Sequence, residues 1–322
     1  MGPRLPVRRK IHAFEGALIF MHDTRHDRYI LITPVKDEEK YVEATLRSVV
    51  AQTLRPHRWI ILDDGSRDAT PEILRRYALN HDWIQVVRIE RDASRLPGSA
   101  EIQAFARGYE MVAGDDFDFV VKLDCDLELP PDYFANLCER FHADETLGLA
   151  SGMYLEEWNG QWVPVTMPDY HVAGASKMYR KQCYIDIGGL VFSRAWDTMD
   201  EIRALSMGWT TRNFPELQFH HLKKEGSGIG TLRTNVMHGE IYYLTGGGGV
   251  FFILKLLDRS LRGKPFLIAG SAMLWGYLKC WLSGQPRLVR DSEAKIYRKM
   301  LNQRIRTGVS NMFRRTMQRR EA

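Results

Sequence analysis

Residues 117–134 read FDFVVKLDCDLELPPDYF, and the order of apolar, acidic and proline residues in this stretch decides the fold. The apolar run FDFVVKL predicts a strand that ends directly in Asp124-Cys125-Asp126, and Pro130-Pro131 marks the start of a helix. In a locally bent chain, two carboxylates two residues apart can both approach one hard divalent cation and its diphosphate ligand. Oxygen ligands of this kind suit Mg2+ or Mn2+. A solvated turn carries the same pattern, so its weight depends on what stands around it.

Upstream, YILIT at 29–33 reads as a strand, and Val42, Leu46, Val49, Val50 and Thr53 recur at helical spacing. WIIL at 59–62 gives the next strand, ended by DDGS. Thr70 with Pro71 reads as a helix cap followed by a first-turn proline, and that helix is expected to run to about Tyr77. WIQVVRI at 83–89 supplies a third strand, and Ser99 is placed to cap a helix that stops near Gly114. Strands alternating with crossover helices predict an α/β fold, a mostly parallel sheet flanked by helices. Ligands of such sheets bind beyond the carboxyl ends of the strands. Three of these ends are polar: Thr33 with Asp37 and Glu38, Asp63 with Asp64, and Asp124 with Asp126. In DDGSRDATPEIL at 63–74, Gly65 relaxes the backbone and the acidic side chains can accept from ribose hydroxyls or a base N–H; an ordinary Asx turn is the alternative.

Bulk properties set limits. A chain of 322 residues, 44% of them hydrophobic, can bury a substantial core as one large domain or one domain with an extension. Its four cysteines form no CxxC pair, so neither a disulfide framework nor a zinc ribbon is indicated and a reducing compartment fits best. The net charge of +5 conceals an asymmetry: residues 287–322 hold eleven Lys/Arg against three Asp/Glu, and the rest of the chain is slightly acidic. Arg8, Arg9 and Lys10 are followed by a mixed stretch and not a long apolar run, so secretion is not expected.

TPVKDEEKYVEATLRSVVAQTL (33–54), ILDDGSRDAT (61–70) and KLDCDLELPPDY (122–133), in that order and spacing, resemble the inverting family 2 glycosyltransferases of the GT-A fold over residues 29 to about 210. The resemblance implies that Pro34, Glu38 and Asp64 hold a nucleoside, a UDP-sugar before a GDP-sugar, while Asp124 and Asp126 hold the metal and diphosphate. It also implies a diphosphate contact at Arg95 in SRLPGSAEI. Inverting transfer needs a carboxylate that takes the proton from the attacking hydroxyl. In IGGLVFSRAWDTMDEIRALSMGW (187–209) the family's spacing from the paired glycines selects Asp200, with Glu201 and Asp197 as close rivals. In FHHLKKEGSG (219–228), His220 or His221 could add a metal ligand, and Lys223 or Lys224 could neutralise phosphate.

The expected division is an extension at 1–28, a transferase domain at 29–240 with a donor half (29–150) and an acceptor half (151–240), and a helical region with a basic tail at 241–322. VFFILKLLDRSLR (250–262) is amphipathic, with Lys255, Asp258, Arg259 and Arg262 at helical spacing. FLIAGSAMLWGYL (266–278) is uncharged but well short of the roughly 20 residues that span a bilayer. With the basic tail and Trp275, Tyr277 and Trp281, these segments suit the membrane interface, at the cytoplasmic face of the inner membrane. A lipid-linked or glycan acceptor follows, and anionic lipid is preferred to nucleic acid as partner of the tail. A nucleotidyltransferase of similar fold and a noncatalytic membrane-binding protein are the rivals; PVKDEEK in place of a glycine-rich basic loop speaks against the first, and the acidic strand ends against the second.

Overall fold

The structure, a computed structural model, describes residues 27–89, 99–223, 230–263 and 266–318. Four strands, β1 (Tyr29–Val35), β2 (Arg58–Asp63), β3 (Ile84–Arg88) and β4 (Phe119–Leu123), lie parallel in the order β3-β2-β1-β4. Successive residues at the start of β1 are all apolar because both faces of the sheet are covered. Tyr29 and Leu31 pack with Leu46, Leu74 and Phe134, whereas Ile30 and Ile32 pack with Ile102 and Phe105 on the other side. The covering helices are α1 (Val42–Val50), α2 (Thr70–Asn80), α3 (Ala100–Glu110) and α4 (Tyr133–Ala143). Pro34 is tolerated in a central strand because the β1–β4 ladder ends at Ile32 and Lys122, before a missing N–H would matter.

Thr70 is the first residue of α2 and not its cap; its hydroxyl accepts from the Glu38 backbone N–H at 2.9 Å and ties the β1 loop to the β2 loop. Pro71 sits in the first turn as expected, and Ser99 stands at the start of α3, which ends at Glu110, before Gly114.

Beyond β4 the sheet becomes mixed. β5 (Leu127–Glu128), β6 (Leu147–Trp158), β7 (Gln161–Pro164), β8 (Ser176–Arg180) and β9 (Thr210–His221) extend it as β4-β8-β6-β9-β5, with β7 hairpinned onto β6. β8 runs antiparallel to β4 and β6, and β5 antiparallel to β9. The sheet is parallel in its first four strands and in the β6–β9 pair, and antiparallel where β8, β7 and β5 join it. α5 (Lys181–Asp186) and α6 (Trp196–Ser206) cover this half.

Four further helices follow: α7 (Thr231–Leu244), α8 (Gly249–Arg262), α9 (Ile268–Leu282) and α10 (Asp291–Gln318). α7 runs across the division expected at residue 240, so the helical part starts at 231. α7 and α9 approach closely at glycines: a Cβ on Gly239 would lie 1.9 Å from the Met273 carbonyl oxygen, and one on Gly276 2.0 Å from that of Val236. Tyr243, Leu244 and Cys280 bury themselves with Ala195 and Met199 of the α6 region, and Arg194 pairs with Glu240 at 2.6 Å. The helices thus form a wall of the same body. Among the described residues no helix is long and apolar enough to cross a membrane.

Candidate active site

β4 delivers Asp124, whose N–H donates to the Ala175 carbonyl at 2.8 Å, and β5 carries the chain past Asp126. Thr45 of α1 clamps this bend: its hydroxyl donates to the Leu127 carbonyl at 2.8 Å and accepts from the Leu127 N–H at 2.9 Å. The β5–β9 pairing sets Leu127 opposite His221. One ligand atom from each of Asp124, Asp126 and His221 then lies within 4.8 Å of the others.

His220, one residue earlier on β9, points to the other face, as alternate strand residues must. Its ring stacks on Trp162 with centroids 4.0 Å apart and pairs with Glu128 at 3.3 Å. His220 therefore does not join the cluster, and of the two histidines His221 is the one placed to coordinate.

The cluster fits a divalent cation. Asp126 Oδ1 and His221 Nδ1 are buried without a hydrogen-bond partner, an arrangement that is costly until a further ligand completes it. Burial pushes Asp124 up to about 7, with Glu101 and Asp126 adding to the rise against the opposing charge of Lys122. Burial alone would lower His221, but Asp126, Asp124 and Glu156 outweigh it and raise its affinity for a proton. Positive charge is what this crowded point lacks, and two carboxylates with an imidazole are a donor set for Mn2+ or Mg2+.

On one side of Asp124 is a cavity of about 320 Å³ lined by Pro34, Glu38, Asp64, Asp124 and Asp126. Its floor is a laced pair of loops. Gly65 takes the left-handed conformation at φ 70°, Asp63 accepts from the Ser66 N–H at 2.8 Å, and the Asp37 N–H donates to Ser66 Oγ at 3.0 Å. Asp63 thus makes the Asx turn, while Asp64 lines the cavity. Glu38 pairs with Lys223 and is raised by burial, which Lys223 opposes. Thr33 accepts from the Trp59 indole N–H at 2.9 Å inside the core and is turned away from the site. Arg95 and Lys224 lie outside the described residues.

On the other side of Asp124 opens a cavity of about 890 Å³, with Asp197, His171 and Trp196 in its wall. The three candidate carboxylates of α6 part company here. Asp200 and Glu201 are buried beneath it. Asp200 accepts from Lys177 Nζ at 3.1 Å and from the Tyr179 hydroxyl at 2.5 Å; Glu201 accepts from the Val172 N–H at 2.8 Å and pairs with His171 at 2.9 Å. Asp197, 31% exposed, faces the cavity and pairs with Lys177. Of the three carboxylates, Asp197, the rival, is thus the one that reaches the cavity, and Asp200, the expected position, does not. Burial would raise Asp197, but the charges of Lys177 and His171 outweigh it and hold the carboxyl below its usual range. His171 is pushed up to about 9, chiefly by Glu201, and carries a proton at neutral pH.

Lys122, Lys177, His171 and Glu101 belong to the site although no motif in the sequence singles them out. Lys122 and Lys177 stand opposite each other in the β4–β8 register, both fully buried, with Nζ atoms 5.1 and 5.2 Å from the Trp196 ring centroid. Lys122 holds Asp124 at 2.5 Å and also pairs with Glu101, which lines both cavities. A lysine inside an otherwise apolar strand, as in FVVKL, is the available signal, since buried lysines occur where carboxylates await them.

The family model for glycosyl transferase family 2 matches residues 30–197, just over half of the 322-residue chain. Glycosyltransferase GlyA of Streptococcus pneumoniae is 24% identical over 226 residues, 68% of this chain and 29% of that protein. An undecaprenyl-phosphate 4-deoxy-4-formamido-L-arabinose transferase of Pseudomonas aeruginosa is 32% identical over 117 residues, 35% of this chain and 32% of that protein. The chain spans about a third of the length of these relatives. Among solved structures, a mannosyltransferase of Pyrobaculum calidifontis in complex with GDP-Man and Mn2+ is similar with a TM-score of 0.53 at 15% identity, covering 90% of this chain and 88% of that one. TarS residues 1–349 of S. aureus in complex with UDP-GlcNAc gives 0.51 at 16% identity, covering 84% and 78%. These likenesses establish the GT-A fold. With its matched segment running from β1 to Asp197 at the cavity wall, the chain belongs to glycosyl transferase family 2.

Proposed function

We propose that the chain transfers a sugar from a nucleotide-diphosphate sugar to an acceptor hydroxyl, with inversion at the anomeric carbon. The observation that carries this is the meeting of two cavities at Asp124, with the Asp126–His221 cluster at the junction and Asp197 in the wall of the larger one. The nucleoside would occupy the smaller cavity against Pro34, Glu38 and Asp64. A UDP-sugar is the first candidate and a GDP-sugar the second, since proteins of this fold hold UDP-GlcNAc and GDP-Man. A Mn2+ or Mg2+ ion held by Asp124, Asp126 and His221 would offset charge developing on the leaving diphosphate. Asp197 takes the proton of the attacking hydroxyl; Lys177 and His171 orient it and keep it ionised, and Asp200 and Glu201 fix those two cations in place.

The helices support attachment to the cytoplasmic leaflet of a membrane and a lipid-linked or glycan acceptor. The polar residues Lys255 and Arg259 of α8 line the larger cavity, whereas Ile253, Leu254, Leu257 and Leu261 are exposed on its outside, continuing into Phe266, Leu267, Ile268 and Trp275. An apolar stripe facing outward on this scale suits lipid, and the basic sequence of α10 suits anionic headgroups.

The test is thermal stabilisation by a panel of sugar nucleotides with Mn2+. A ligand at 100 times its Kd stabilises by about 2.7 kcal/mol. The wild type is expected to respond to one nucleotide series, and Asp126→Ala to lose the response while its far-ultraviolet circular dichroism is retained. No response to any sugar nucleotide, or an unaltered one in Asp126→Ala, defeats the proposal.

A further inference from the structure

Three cations line the larger cavity away from the metal cluster: Arg233 of α7, and Lys255 with Arg259 one turn apart on α8. None of the three makes an ion pair with a described residue, although most other basic side chains of the site are matched to carboxylates. His238, which also lines this end, has a buried Nδ1 with no partner. Like charges at i, i+4 repel on a helix, and a cavity wall excludes much of the water that would screen them. Consistent with this, burial and then Arg259 and Arg304 lower Lys255 to about 8, and burial followed by Lys255 and Arg259 lowers His238 to about 4. A site that keeps uncompensated positive charge in a concave wall is built to receive an anion.

The nucleotide cavity lies on the far side of Asp124, so this anion belongs to the acceptor and not to the donor. We propose that the α7–α8 end of the cavity binds a phosphate group carried by the acceptor, with Lys255 and Arg259 as its charge partners, Arg233 at the rim and His238 as a hydrogen-bonding group. Charge-assisted contacts from two cations to a dianion give both affinity and register, holding the acceptor so that its hydroxyl meets Asp197. The inference rests on the transfer reading above and adds the acceptor's chemical class to it.

The full chain, metal-free, is titrated by calorimetry with farnesyl phosphate, farnesol and glycerol 3-phosphate; UDP with Mn2+ is titrated separately. Farnesyl phosphate is expected to bind at least about tenfold more tightly than farnesol, and K255Q/R259Q to abolish that difference while leaving UDP–Mn2+ affinity within about twofold. R233Q alone is expected to give a smaller loss. Removing two mutually repelling cations should not unfold the protein, and the retained UDP–Mn2+ binding verifies this. Loss of glycerol 3-phosphate binding in parallel identifies a water-soluble phosphate ester as sufficient; loss confined to farnesyl phosphate identifies a lipid phosphate. Both support the site. Phosphate probes unaffected by K255Q/R259Q overturn it, as does a weakening of UDP–Mn2+ instead, which would assign the cations to the donor diphosphate. Failure of the wild type to bind any nucleotide with Mn2+ while the phosphate probes bind as expected would remove the transfer reading and leave the anion site standing.

Discussion

Asp197→Asn and Asp200→Asn separate the proposed base from its proposed support. Lys177 is fully buried among three carboxylates, so replacing Asp197 leaves it Asp200 and, at 3.7 Å, Glu201. The stability loss is that of one charged hydrogen bond, about 1.5–3 kcal/mol. Asp200 is 1% exposed and binds both Lys177 and Tyr179, so its loss is that of a broken buried pair, about 3–5 kcal/mol. Against a total stability of about 5–15 kcal/mol, that is a large share. Turnover should respond in the opposite order: loss of a general base costs about 10²–10⁴ in rate, roughly 3–5.5 kcal/mol of barrier. The assay is release of nucleoside diphosphate from the preferred donor, alongside thermal melts and UDP–Mn2+ binding. Asp197→Asn should bind donor normally, lose less thermal stability than Asp200→Asn and turn over at least about a hundredfold more slowly than wild type. Turnover within about threefold of wild type in Asp197→Asn would refute the assignment, as would an inactive Asp200→Asn with an unchanged melt.

His171 has a folded pKa of about 9 against 6.5 for the free group, so its ion pair with Glu201 contributes fully below about 6.5 and is lost as pH rises through about 9. The stability difference between wild type and His171→Gln, from urea melts, should therefore shrink across that window. Gly276→Ala forces a Cβ onto the Val236 carbonyl, 2.0 Å away, and should destabilise by at least the roughly 1–3 kcal/mol usual for overpacking, read as a lowered urea midpoint. Flotation with anionic vesicles should carry the wild type and lose Leu257→Glu/Leu261→Glu, while high salt weakens the wild type's attachment.

How much of this was legible depends on the physics of each element. β1 to β4 announce themselves because strands buried on both faces must be continuously apolar. The mixed half does not, since β9 has exposed residues interspersed among its buried ones and the buried start of β6, LGLASG, has few bulky apolar side chains. His220 and His221 could have been separated by strand parity: Phe219 is buried, and residue 221 shares its face. Asp197, Asp200 and Glu201 could not be separated by helical phase, because spacings of three and four put all three on one side of α6. Depth along the helix decides instead, with Asp197 in the first turn at the cavity. The cations of α8 read as the solvent face of an amphipathic helix, and only the packing of α7 and α9 turns them inward.

Lys122 and Lys177, cross-strand neighbours, have a lasting consequence for how such a protein can change. One anchors the cluster through Asp124, the other holds Asp197, and the charge of Lys122 also reaches Asp197. Neither lysine can be exchanged alone without stranding carboxylate charge in the interior, so a change at one calls for a compensating change at its partners. Variation in what the site accepts is left to the loops and the helical wall, while the spacing between the cluster and Asp197 is set by the strand ladder.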